Sequence, residues 1–209
     1  MYKKSGLQFT NYIYENKVIK KPKTFLGILI KNLSWHPKLI FSPIKLYKQS
    51  LQSFFYTKKN IELIKIKKEI HKFLGNIKIN NNSIIQEKIT PLGNLLRTNS
   101  LEENKKLLIR YFEFVHKIWS YGFFETTFNF TINYGINKEN KINLIDIGEI
   151  SFDMGKIREY IRKKHWLQNW SYNKDTPKEL KEFYRNTAEK YFTPTNLNKY
   201  WERNSKLFI

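Results

Sequence analysis

Ser100-Leu101-Glu102-Glu103 opens the strongest helix signal in the chain. In such a capping box the Ser100 hydroxyl and the Glu103 carboxylate each satisfy an amide that a helix start leaves unpaired. Behind it, Leu108, Tyr111, Phe112, Val115, Ile118 and Trp119 recur at helical spacing, which predicts one long helix with an apolar side, ending before Gly122. A helix of that kind is stable only against a core, so the second half of the chain must supply one. Helical signals continue there. A shorter helix beyond Asp153 carries Ile157, Tyr160 and Ile161, Thr176-Pro177-Lys178-Glu179 combines a second capping box with proline at the first helical position, and Thr193-Pro194 repeats the start signal.

The first ninety residues read differently. Residues 7–21 carry β-branched and aromatic residues on both sides of Glu15-Asn16-Lys17, the pattern of two short strands and a tight turn, which Pro22 ends. Residues 24–58 mix apolar and basic side chains around Pro37 and Pro43 and are expected to form short helices with breaks. From Asn60 to Leu74, Leu63, Ile66, Ile70 and Phe73 keep helical spacing until Gly75-Asn76 stops it. Ile77 to Ile79 and Ile84 to Ile89 flank Asn80-Asn81-Asn82-Ser83, a second hairpin, and Pro91-Leu92-Gly93 follows as a connector. Strands come first and helices after, so the fold class is α+β rather than alternating β-α. The 209 residues suit one compact molecule, with an N-terminal lobe over 1–93, a helical C-terminal lobe over 94–209 and no internal repeat.

Several chemistries are excluded or unsupported. The chain has no Cys, which removes disulfides, thiolate zinc sites and cysteine nucleophiles. His36, His71, His116 and His165 show no close ligand spacing and read as ordinary surface or core residues. The N-terminal MYKKSGLQFTNY lacks an apolar signal-peptide core, and the longest uncharged apolar run, Thr24 to Ile30, is too short to span a bilayer. The expected compartment is therefore the cytoplasm, with no transmembrane segment. Thirty-eight Lys and Arg against eighteen Asp and Glu give a net charge of +20, a field that attracts phosphate, nucleic acid or anionic lipid. Part of that excess is compositional, since Lys, Asn, Ile, Tyr and Phe are abundant together.

The most informative chemistry lies in Phe128 to Asp153, FNFTINYGINKENKINLIDIGEISFD. Ile132 to Ile136 and Lys141 to Ile145 are predicted to pair across the turn Asn137 to Asn140, bringing Asn133 and Asp146 to one mouth. Magnesium takes such hard oxygen ligands, keeps several waters, and is commonly held by one or two protein groups together with substrate phosphates. The plainer alternative is a hairpin in which Asp146 caps a turn.

This stretch resembles the metal-binding hairpin of protein kinases and related phosphotransferases. Asn133 resembles the catalytic-loop Asn, and Asp146-Ile147-Gly148 resembles the Asp-Phe-Gly motif. The resemblance implies that both residues coordinate Mg2+ bound to ATP. It extends to Val18-Ile19-Lys20, similar to the family's Val-Ala-Ile-Lys strand, which implies that Lys20 touches the nucleotide phosphates and pairs with a Glu on the next helix. Glu69 is the candidate for that Glu, with Glu62 behind it. Gln86 to Leu92 falls where the family's strand and hinge hold adenine, with the hinge near 90–97.

The sequence departs from the family in two places. No Gly-x-Gly-x-x-Gly loop precedes Lys20, since Gly6 stands alone. Five residues before Asn133, where the family carries its catalytic Asp, stands Phe128, whose ring has no lone pair to accept a proton. Glu125 is the nearest preceding carboxylate and the candidate catalytic base. The functional expectation is thus a kinase-like domain binding Mg-ATP, either transferring phosphate to an unknown hydroxyl acceptor or acting as a pseudokinase; a third possibility is a kinase-like scaffold that has lost nucleotide affinity and binds only a protein partner.

A rival comes from residues 17–59, where Lys is interleaved with Phe25, Leu29, Trp35, Phe41, Tyr47, Phe54 and Phe55. Such a mixture suits a non-catalytic protein binding single-stranded nucleic acid, an anionic membrane surface, or a plain fold with aromatics in the core and lysines in water. Trp166, Trp170 and Tyr172 form a second aromatic cluster, read as core packing beneath the terminal helices.

Overall fold

The computed structural model describes residues 1–80, 83–168 and 177–201. It is α+β, and the chain divides into two compact units, residues 1–88 and 89–209.

The first unit is built on a five-stranded antiparallel sheet. Strands β1 (Tyr2–Ser5), β2 (Phe9–Ile13) and β3 (Lys17–Pro22) form a meander. The predicted β2–β3 hairpin pairs Ile13 with Val18 and Phe9 with Pro22, closed by the Tyr14 amide donating to the Lys17 carbonyl at 2.9 Å. β1 has no sequence signature because none of its four residues is buried. Its ladder to β2, from Tyr2 opposite Ile13 to Ser5 opposite Thr10, holds it in place.

Helices α1 (Phe25–Trp35) and α2 (Pro43–Ile66) follow, joined by a 3-10 turn over Pro37–Phe41. The Thr24 hydroxyl caps α1 by accepting from the Gly27 amide at 3.2 Å. Pro37 and Pro43 open helical turns rather than break them, since a missing amide hydrogen costs nothing in the first turn. Buried Asn32 donates to Ser50 at 2.9 Å and ties the two helices together.

The single helix expected over 60–74 is two pieces. α2 ends at Ile66, Lys67 leaves helical geometry, and residues Lys68–Leu74 wind as 3-10. The His71 ring nitrogen bonds the Ile64 carbonyl at 2.8 Å, supplying a partner to a carbonyl near the end of α2. The break buries Ile64 and leaves Ile66 exposed, while Ile70 and Phe73 are buried as expected. Gly75 and Asn76, both at positive φ, stop the segment where predicted. β4 (Lys78–Asn80) and β5 (Ser83–Glu87) then form the second predicted hairpin, with Ile79 opposite Ile84; its turn residues Asn81 and Asn82 lie outside the described residues. β5 inserts beside β3, giving the order β1-β2-β3-β5-β4.

In the second unit, the expected connector at 91–93 and hinge near 90–97 are instead a short strand, β6 (Thr90–Pro91), and a helix, α3 (Leu92–Thr98). β6 pairs with a strand far ahead in sequence, so its pattern could not be read locally. The long helix α4 (Leu101–Trp119) has the predicted capping box: Glu103 accepts from the Ser100 amide at 2.8 Å, and Ser100 accepts from the Glu103 amide at 3.3 Å. All six apolar residues named for its stripe are buried.

After α4 come β7 (Phe124–Glu125), α5 (Phe130–Asn133), β8 (Tyr134–Ile136), β9 (Ile142–Leu144) and β10 (Ile150–Ser151). They form two antiparallel ladders, β6-β8-β9 and β7-β10. α6 (Met154–Arg162), α7 (Lys178–Tyr191) and α8 (Pro194–Tyr200) complete the unit. Thr193 caps α8 as read from sequence, accepting from the Asn196 amide at 3.0 Å. Pro177 sits at the N-cap of α7 rather than at its first helical position, and Thr176 of that start signal lies outside the described residues.

The core is aromatic. Tyr111 and Phe112 of α4 meet Phe130, Tyr134, Tyr184, Tyr191 and Phe192, with ring centroids 4.9 to 6.4 Å apart. Trp166 is buried against Tyr184, as the aromatic-cluster reading requires; Trp170 and Tyr172 lie outside the described residues.

Gly135 of β8 fixes the distance to β6. A Cβ there would lie 2.3 Å from the Thr90 carbonyl oxygen and 2.6 Å from the Ile89 side chain. Gly135→Ala is expected to destabilise the protein by about 2–3 kcal/mol in urea unfolding, the scale of forced overpacking. Gly6→Ala, whose nearest neighbour would be the Phe9 carbonyl at 3.5 Å, should stay close to wild type. Equal stability of the two variants would remove the close β6–β8 contact from this account.

Candidate functional site

The two ladders of the second unit carry the candidate residues to one end. Asn133 ends α5 just before β8, and its carbonyl accepts from the Ile145 amide, just after β9, at 2.7 Å. Asp146 is the next residue. On the other ladder Glu125 ends β7 opposite Ile150 of β10, and the Thr126 amide donates to the Glu149 carbonyl at 2.8 Å. The loop 126–129 and the loop 145–149 are thus joined at both ends, and Glu125, Asn133 and Asp146 come from chain segments that the backbone holds side by side.

The predicted hairpin is present, with one change. Residues 132 and 133 belong to a helical turn, and strand pairing begins at Tyr134, opposite Leu144. The turn Asn137 to Asn140 is closed by the Asn137 amide donating to Lys141 O at 3.0 Å, and Asn140 adopts positive φ.

Glu125 is the centre of this arrangement. Its side chain is 1% exposed and accepts from the Asn133 side-chain amide at 3.0 Å, the Thr127 amide at 2.8 Å, the Thr127 hydroxyl, and the Asn129 amide at 3.2 Å. Burial pushes its carboxyl up from the ordinary value to about 7, against the opposing pull of the hydrogen bonds from Thr127 and Asn133. Asn133, 7% exposed, also donates to the Thr127 hydroxyl at 3.1 Å. The Thr127 hydroxyl and the Glu125 carboxylate are themselves hydrogen-bonded, so both acceptors lie on one side of the Asn133 amide and hold it from there.

Asp146 is half-buried, and its Oδ1 accepts from the Gly148 amide at 2.9 Å. The plain hairpin reading called for this turn cap. It also orients the carboxylate and leaves Oδ2 without a protein hydrogen bond among the described residues. Asn133 Oδ1 and Asp146 Oδ2 are hard oxygen donors of the kind a magnesium ion takes. No group of three or more Asp, Glu, His or Cys suited to a metal occurs among the described residues. Two protein oxygens are enough where phosphate and water complete the shell, so the donor set fits magnesium and not a metal held entirely by protein.

Phe128 has φ 52, in the left-handed region that a bulky residue enters only when its surroundings enforce it. Its ring packs on Phe192 at 5.2 Å, inside the aromatic core. Phe128 therefore serves packing, and the loop around it is held by hydrogen bonds to Glu125, three residues earlier.

In the first unit, Lys20 lies on β3 opposite Asn11 and Ile84 and is only 5% exposed. Glu69 sits half-buried in the first turn of the 3-10 segment, not on the α-helix expected to carry it. Glu62 is on the exposed side of α2, paired with Lys65 at 2.6 Å. Gln86 is buried and donates to the Leu74 carbonyl at 2.8 Å, a structural task.

Sequence reasoning missed Thr127 and Glu149. Thr127 bridges Glu125 and Asn133, and Glu149 accepts from Thr126 Oγ1 at 3.2 Å. No motif marks a threonine whose partners lie two residues before and six after it. No family model matches the chain, and no curated protein matches its sequence.

The raised Glu125 carboxyl makes a signed prediction. In the unfolded chain the group ionises near its ordinary value, in the fold only near 7, so between those values the fold holds a proton that the unfolded chain has released. Its contribution is complete at low pH and is lost as pH rises through about 7, by roughly 3 kcal/mol. Thermal unfolding in EDTA across this range should show that fall for wild type relative to Glu125→Gln, in which it is absent. Parallel pH profiles for the two proteins would contradict the assignment.

Proposed function

We propose that the chain is a kinase-like domain that binds ATP with magnesium at Asn133 and Asp146. One observation supports this reading: the Asn133 amide is held by Glu125 and Thr127, Asp146 Oδ1 is held by the Gly148 amide, and the residue before Asp146 is paired through the backbone to Asn133. Pre-orientation matters because phosphoryl transfer relies on positioning and electrostatics more than on covalent chemistry by the protein.

The bound ion would neutralise charge on the phosphates. Asn133 and Asp146 would hold it, and Glu125 holds the Asn133 amide. In the transferring form, an acceptor hydroxyl oxygen bonds to the γ-phosphorus, the bond to the β-phosphate oxygen breaks, ADP leaves, and the hydroxyl proton passes to a carboxylate. Glu125 is the carboxylate in contact with the Asn133 amide. The cytoplasmic setting expected from the sequence supplies ATP to such a domain.

A second reading is a pseudokinase. The burial of Glu125 beneath four donors and the core position of Phe128 favour it, because neither side chain lies open to an acceptor. Both readings require nucleotide and differ only in turnover.

Saturating Mg-ATP should raise the unfolding free energy by about 2.7 kcal/mol at a hundred times the dissociation constant. EDTA or Asp146→Asn should remove the shift. ADP release with candidate hydroxyl acceptors, lost in Glu125→Gln while the thermal shift persists, separates transferase from pseudokinase. Absence of any nucleotide shift in the wild type, or a full shift in Asp146→Asn, would overturn the proposal.

A further inference from the structure

The α1–α2 hairpin of the first unit exposes an apolar tip within a field of lysines. Its inner face is satisfied: Ile28 and Leu46 are buried, Asn32 bonds Ser50, and Phe25 meets Tyr47 and Phe54 edge-on at 5.5 and 6.2 Å. At the bend between the helices, however, Ile40 is 60%, Phe41 87% and Ile44 72% exposed, next to half-exposed Trp35. This corrects the plain expectation of core aromatics, since the most exposed side chains of the segment include its largest apolar ones. Leu26 and Ile30, one turn apart on α1, extend the apolar surface.

The charge around this surface has one sign. Between Glu15 and Glu62 there is no Asp or Glu, while ten Lys occur. Lys38, Lys45 and Lys48 are exposed around the bend, and Lys31 Nζ lies 5.1 Å from the centre of the Trp35 ring.

We propose that the α1–α2 hairpin docks on an anionic lipid surface, with Phe41, Ile40 and Ile44 entering the boundary between headgroups and acyl chains and the lysines lying over the headgroups. Apolar residues ringed by lysine fit an interface in which one layer is oily and the next negatively charged. No helix among the described residues is long and apolar enough to cross a membrane, so the contact is with the surface. Two features select lipid over nucleic acid. Bases stack on rings, yet four of the six exposed apolar residues named at this tip, Leu26, Ile30, Ile40 and Ile44, offer no π-face. The first arginine in the chain is Arg97, so the hairpin lacks the planar fork that clamps phosphates and reads base edges. The inference does not depend on the nucleotide reading, since every residue in it belongs to the first unit.

Flotation of the full chain with phosphatidylcholine vesicles, with and without phosphatidylglycerol, tests it. Binding is expected only with phosphatidylglycerol and should weaken as salt rises. Phe41→Ser with Ile44→Ser, which keeps every lysine, should reduce vesicle binding by about tenfold or more. Its unfolding temperature should match wild type, since both side chains are exposed. Lys38→Glu with Lys45→Glu should abolish binding. Equal binding to neutral vesicles, or no difference between wild type and the serine variant, overturns the proposal. So does binding to single-stranded oligonucleotides in place of vesicles, or self-association that the serine variant abolishes without any vesicle binding.

Discussion

A carboxylate buried at the end of a two-residue strand organises the second unit's candidate site. Burying a charge without partners is costly, and Glu125 offsets part of that cost by collecting four donors from Thr127, Asn129 and Asn133, while burial still raises its proton affinity. Those bonds force the chain from 125 to 133 into a compact loop, place Phe128 at positive φ with its ring in the core, and lock the Asn133 amide. Because Asn133 immediately precedes the β8–β9 ladder and Glu125 ends β7 of the β7–β10 ladder, the same carboxylate couples the two ladders near Asp146.

The core that surrounds this carboxylate explains both its raised proton affinity and its stability. Tyr111, Tyr134 and Tyr184 are fully buried, and burial raises their hydroxyls above the ordinary range, with the Glu125 charge adding to the effect. A dry aromatic wall strengthens each hydrogen bond in the loop and penalises any change that removes one partner. The first unit follows another logic: its sheet and helices bury a modest aliphatic core, and its charge is spread over surface lysines with few acids to pair them.

Much of this fold was legible where local physics decides. The capping box at Ser100, the α4 stripe, the stop at Gly75-Asn76, the two hairpins of the first unit and the Asn137 to Asn140 turn all rest on contacts within a few residues. Readings failed where a distant partner decides. β1 has no buried face and exists through its pairing with β2. Thr90–Pro91 is a strand because β8 lies against it. The break at Lys67 is accompanied by a side chain from the next turn, His71, reaching back to the Ile64 carbonyl.

The candidate site divides in the same way. Sequence alone determined that Asn133 and Asp146 would flank one hairpin, since alternation and a turn signal set that register, and it marked Glu125 as the nearest preceding acid. Only tertiary structure decided that Glu125 would be buried, that Thr127 would bridge it to Asn133, and that Phe128 would turn inward. Those outcomes depend on the solvent exposure of groups brought together by two ladders and an aromatic core. A linear pattern specifies which side chains are available, whereas their protonation and hydrogen bonding depend on what the rest of the chain excludes around them.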